Sequence, residues 1–220
     1  MAFAAAASAA GSLGPGKYTF SSAGADAFFG IGKKGGPPAA SWSVSVNRGL
    51  NSFKPTHPAA ARIVMNSTIV SVAEFDATGT GGYGCFIVPD TDFAVAKDLS
   101  GATLHATLTA DEACPGYAAA VGGSKDVSFG GASSGLTLPI TVDVSWTAAG
   151  PTTTFKQTFS IDCLSYSQSG SSSNQNRNAG AAGAISALAG SFNADFADIN
   201  SGDGSLDIRG VPDPRCGLVG

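Results

Sequence analysis

Apolar residues take every second place between Leu136 and Trp146: Leu136, Leu138, Ile140, Val142, Val144 and Trp146 alternate with Thr137, Pro139, Thr141, Asp143 and Ser145. A period of two marks a strand with one buried face. The pattern resumes at Phe155, Phe159, Ile161 and Cys163, interrupted by Gln157. Ala148-Ala149-Gly150-Pro151 lies between the runs, so an antiparallel hairpin with a loop of roughly five to seven residues is predicted there. Pro139 has no N–H for a ladder, which starts the first strand near Ile140 or leaves that position on a sheet edge.

The same alternation recurs along the chain. Trp42, Val44 and Val46 alternate with serines, and Ala102, Leu104, Ala106 and Leu108 alternate with Thr103, His105 and Thr107. Between Ile63 and Phe75 apolar residues fall on both parities, as in a central or bulged strand. Thr78-Gly79-Thr80-Gly81-Gly82 predicts a turn into a strand over Tyr83 to Val88. Shorter strands are expected at 17–20 and 127–129, and closing strands or one short helix within 184–188, 192–199 and 206–208. Ser167 to Gly183 is Ser, Asn, Gln, Gly and Ala with Arg177 alone charged, and it reads as a long functional or disordered loop.

Turn signals at about ten-residue intervals predict an all-β fold, an antiparallel β-sandwich or jelly roll of about 8–10 strands, with a closed β-barrel as the alternative. Residues 1–36 read as a flexible Ala/Gly-rich N-terminal arm, because the Ala-rich run at 2–10 is too short to hold a helix alone in water and Gly and Pro crowd 30–38. Residues 37–220 read as one domain, and a chain of this length buries about 70% of its unfolded surface.

Composition narrows the role. Charged residues are 13% of the chain, against roughly 25% in typical globular proteins, so Ser, Thr and Asn carry much of the surface polarity. Up to Asn66 six basic residues face Asp26 alone, whereas from Ser67 onward six basic residues face fifteen acidic ones. The net charge of −4 argues against a nucleic-acid partner. No apolar run is long enough to span a membrane as a helix. Cys85, Cys114, Cys163 and Cys216 are widely spaced without a C-x-x-C pair, which suits two disulfides in an oxidising compartment better than a zinc site. Three pairings are open; Cys85–Cys114 and Cys163–Cys216 close the shorter loops. An extracellular or cell-surface location follows from this chemistry.

Catalytic motifs fail on context. Gly131-Ala132-Ser133-Ser134-Gly135 has nucleophile-elbow spacing, but a strand follows where a helix is needed. The histidines, His57 and His105, fall in a loop and on an outward strand face. Gly11 to Lys17 fits the first part of a phosphate-cradling loop, but Tyr18 stands where Ser or Thr is required and no buried strand precedes it, and the dinucleotide spacing of Gly30 to Gly35 is followed by Pro37-Pro38 and not by a helix. Glu74, between Ala73 and Phe75, is the nearest approach to a carboxyl in an apolar setting. Asp198, Asn200, Asp203 and Asp207 supply oxygen donors and intervening glycines that suggest a calcium site, although Asp203 and Arg209 break the EF-hand pattern. Tyr83, Tyr117 and Tyr166 lie near turns and are the candidate ligand face.

The expected function is that of an exported, non-catalytic β protein in a structural, adhesive or self-assembly role. The expected partner is a second copy of the chain, through an arm added to a sheet edge, or a surface glycan or protein. The alternatives are a carbohydrate- or surface-ligand-binding module and, third, a hydrolase.

Overall fold

The computed structural model describes residues 15–32, 40–49, 51–55, 64–65, 68–78, 81–109, 136–188 and 190–210. The strands are β1 (Gly16–Ile31), β2 (Ala40–Arg48), β3 (Asn51–Pro55), β4 (Val64–Met65), β5 (Thr68–Asp76), β6 (Gly81–Val88), β7 (Phe93–Val95), β8 (Gly101–Leu108), β9 (Ile140–Cys163), β10 (Tyr166–Ile185), β11 (Ser191–Asn193) and β12 (Phe196–Arg209). A 3-10 turn, Asp90–Asp92, precedes β7. Nine strands form one antiparallel sheet in the order β6-β5-β2-β1-β12-β10-β9-β8-β7. The all-β antiparallel expectation holds. The sheet curls into a half-barrel, so one continuous sheet supplies the surfaces that a sandwich divides between two.

Alternation explains the curl's interior. Val142, Val144 and Trp146 of β9, Leu104 and Ala106 of β8, Val44 and Val46 of β2, Val70 and Val72 of β5, and Ala25, Ala27 and Phe29 of β1 all point inward and form one buried cluster. The Trp146 indole N–H donates to the Asp26 carbonyl at 2.8 Å, tying β9 to β1 although β10 and β12 lie between them in the sheet. Near the other end, Arg48 donates to the Asp90 carbonyl at 2.7 Å and stacks 5.2 Å from the Phe93 ring centre. Thr68, fully buried, donates its hydroxyl to the Asp90 carboxylate at 2.6 Å. These contacts fasten the turn before β7 to β2 and β5.

Four strands outrun the half-barrel. β1, β12, β10 and β9 continue as a ribbon made of residues 16–24, 200–209, 166–178 and 152–163, with β3 paired to β1 at Tyr18 to Phe20. A satellite core of Tyr18, Tyr166, Leu206 and Ile208, with Phe20 and Phe159 packed on it, occupies one face of this ribbon.

Several expectations are corrected here. The Gly150-Pro151 region is no hairpin turn: β9 runs through it as one strand, with Gly150 at φ +110 and a register shift against Arg177/Ala179 of β10. A bulge takes up the extra residues without reversing the chain. The hairpin turn lies instead at Leu164-Ser165, where Cys163 pairs with Tyr166. Ser167 to Gly183 is no loop but most of β10, paired with β9 on one side and, on the other, with β12 over Ser167 to Asn178 and β11 from Ala182. Residues 16–31 of the supposed arm are β1, an interior strand of the nine-strand order. The remainder of the arm falls outside the described residues, as does the strand expected at 127–129.

Candidate functional site

The ribbon's inner face continues the concave wall of the half-barrel with polar side chains in place of apolar ones. Its cross-strand rows are Thr19, Ser205, Ser171, Thr158 and then Ser21, Asp203, Ser173, Lys156. Neighbouring strands stand about 4.8 Å apart and same-face residues along a strand about 6.7 Å apart, so hydroxyl groups form a regular grid. These eight residues line a trough of about 770 Å³. Within it the Ser171 and Ser205 hydroxyls hydrogen-bond at 3.1 Å. Asp203 and Lys156 bring opposite charges to one row, and further along the same face Asp207 meets Arg209 at 3.3 Å and Lys17 at 4.0 Å. A grid of this kind donates and accepts hydrogen bonds with a flat polar surface.

On the opposite face, aromatic rings lie over glycines of the neighbouring strand. A Cβ on Gly204 would come 2.5 Å from the Phe20 ring, and one on Gly170 2.7 Å from the Phe159 ring. Phe20 pairs directly with Gly204, and Phe159 with Gly170. Glycine there makes room for a ring that covers the strand. Tyr166 is 3% exposed and donates to Gln168 Oε1 at 2.7 Å. Burial raises the Tyr166 pKa.

The ribbon's outer edge is β9. β8 pairs with β9 over Ile140 to Thr147 only, and no described strand pairs with that side from Thr152 to Asp162. Residues 151–156, 158, 160 and 162 are exposed, and Phe155 is 61% exposed.

Where ribbon and half-barrel join, Asp26 of β1 stands directly opposite Asp198 of β12 on the outer face. Asn200 bridges them, its Nδ2 donating to Asp26 Oδ2 at 3.2 Å and to Asp198 Oδ1 at 3.4 Å. Burial raises the Asp26 pKa above its ordinary value, opposed by a hydrogen bond from Ser45 and reinforced by the Asp198 charge.

The residues singled out from sequence are scattered. Asp198, Asn200, Asp203 and Asp207 belong to one strand, β12, and not to a loop. Strand alternation sends Asp198 and Asn200 to the outer face and Asp203 and Asp207 to the inner one, so the four do not gather around a common point. No group of three or more His, Cys, Asp or Glu able to hold a metal ion occurs among the described residues. Tyr83 is exposed on β6, Tyr166 is buried and offers no surface ring, and Tyr117 lies outside the described residues. His105 faces outward on β8 with Nδ1 3.4 Å from Asp143. Glu74 lies opposite Trp42 across β5 and β2. Ser133 and His57 lie outside the described residues. Cys85 and Cys163 are not free thiols, and the pairing assigned to Cys114 and Cys216 lies outside the described residues. No helix among the described residues is long and apolar enough to cross a membrane.

Two features escaped the sequence. The hydroxyl grid was hidden because Ser171 and Ser173 read as loop and the strands that complete its rows are distant in sequence. An exposed aromatic band on the outer wall, with Phe28 beside Phe196 and Phe75 near Tyr83, was hidden because its members lie on four strands. The chain matches no protein-family model, no curated protein and no solved structure.

Proposed function

We propose that this chain is an exported, non-catalytic structural protein that works by self-association. One observation carries this: a four-strand ribbon extends beyond the core, clothed on its inner face in Ser and Thr with charged residues among them, and bounded by a long exposed strand edge. A sheet edge left open is a template for another strand. Low charge and cysteines held out of the free thiol form support a place outside the cell, at its surface or beyond. Cys85–Cys114 and Cys163–Cys216 remain the proposed disulfide pairs.

Sedimentation velocity of the full chain over a hundredfold range of concentration tests the proposal. Association that grows with concentration is the expected result. A single monomeric species throughout removes it.

A second proposal draws on the outer wall. Phe28, Phe196, Phe75 and Tyr83 present exposed rings around the small residues Ser43 and Ala73, the arrangement on which sugar rings stack. Titration against a panel of glycans tests it, with the absence of binding counting against a carbohydrate ligand.

A further inference from the structure

We propose that the outer edge of β9 pairs antiparallel with β9 of a second copy of this chain, about a twofold axis at Phe159. Lys156 of each copy then faces the partner subunit's Asp162. This deepens the self-associating role proposed above and rests on it.

In the segment Lys156-Gln157-Thr158-Phe159-Ser160-Ile161-Asp162, opposite charges stand three residues either side of Phe159, with Thr158 and Ser160 flanking it. Antiparallel pairing about Phe159 places Lys opposite Asp, Gln opposite Ile, Thr opposite Ser and Phe opposite Phe, and the first of these pairs occurs twice by symmetry. Each pairing joins residues of the same parity, so opposing side chains share a face, as a ladder demands. Lys156 and Asp162 are both exposed on the ribbon's inner face. Neither has an ion-pair partner among the described residues. They are the charged residues of the segment, and their signs are complementary.

The remaining properties suit an edge built to pair. From Thr152 to Asp162 β9 has no Pro or Gly and is rich in Thr, Phe and Ile, residues that favour extended pairing. The two ends of the nine-strand order are poorer templates. β6 carries Gly81, Gly82 and Gly84, and glycine weakens a strand interior; β7, at the opposite end, is three residues long. Chain edges that are meant to stay single are guarded by prolines, bulges or charges left without a counter-charge, and in the proposed pair each charge of β9 meets its opposite. On β9 the bulge and Pro151 stand before the segment, not inside it.

A seven-residue ladder buries less than a standard interface, so the contact is weak, with dissociation in about the micromolar range or above. It is also sensitive to salt, because its ion pairs are exposed.

Charge exchange tests the register. In sedimentation velocity at low salt, Lys156→Asp and Asp162→Lys each set like charges face to face twice and should weaken self-association by about tenfold or more. The double variant K156D/D162K should restore it. An equimolar mixture of the two single variants should also associate, since each supplies the charge the other lacks. Circular dichroism melts of the variants confirm that each remains folded. If the wild type associates and the single variants associate equally well, the β9 register is wrong while the structural role stands. Single variants that stay weak in the mixture and in the double variant likewise overturn the pairing. A wild type that is monomeric throughout overturns both.

Discussion

The half-barrel and the ribbon share four strands, yet they obey different rules. In the half-barrel, β9 contributes Ile140, Val142, Val144 and Trp146 to a sealed interior; a few residues on, the same face carries Thr152, Thr154, Lys156 and Thr158. β10 changes likewise from Ala181 and Ile185 to Ser171 and Ser173. The backbone ladder continues unbroken apart from the bulge. Strand structure here therefore depends on backbone pairing, with β9 held among the described residues along one edge alone beyond Thr147, while side-chain chemistry decides only whether the face it presents is dry or wet.

Substitution in each region exposes the contrast. Leu104 is fully buried, and Leu104→Ala should cost about 2–5 kcal/mol in denaturant unfolding by leaving a cavity. Ser171→Ala on the ribbon should change stability by less than about 0.5 kcal/mol, the usual range for exposed positions. Equal losses at the two sites would show that the ribbon is as tightly specified as the core.

The turn that starts β10 gives a smaller effect of opposite sign. Leu164 adopts φ 55 and is 68% exposed, a left-handed backbone conformation that costs a branched residue free energy and suits glycine. Leu164→Gly should raise stability by about 1 kcal/mol, read as a higher denaturant midpoint. A lower midpoint would mean that the side chain contributes more than its backbone strain removes.

The smallest effect lies at the junction. The pKa of Asp26 is raised from its ordinary 3.8, so its ionised form is disfavoured in the fold. The corresponding stability is full below 3.8 and is lost as pH rises through the raised value. Asp26→Asn should therefore raise Tm modestly at about pH 7 and leave it close to wild type at about pH 3. A lower Tm for the variant at neutral pH would show that the Ser45 and Asn200 hydrogen bonds outweigh the burial of charge.

Legibility followed the same division. The strands with one dry face, β2, β8 and the first part of β9, were readable because a hydrophobe at every second place has one explanation. β10 was not. Gln168, Ser172 and Asn174 carry no periodic signal, since both ribbon faces accept polar groups and the strand is held by bonds to β9 and β12 far away in sequence. The turn at Leu164-Ser165 was missed because neither residue favours it locally, and the bulge was mistaken for a turn because Gly150-Pro151 signals both. The four oxygen donors of β12 looked like one cluster until alternation separated them onto two faces.

Composition and periodicity alone were enough to specify an antiparallel β protein of low charge with a valine- and leucine-lined interior, because burying apolar surface acts on each strand locally. The curl of the sheet, the length of the ribbon, the trough of hydroxyls and the open edge of β9 arose only in three dimensions. They depend on which distant strands share hydrogen bonds, and a backbone ladder leaves no mark on the identity of the side chains it aligns.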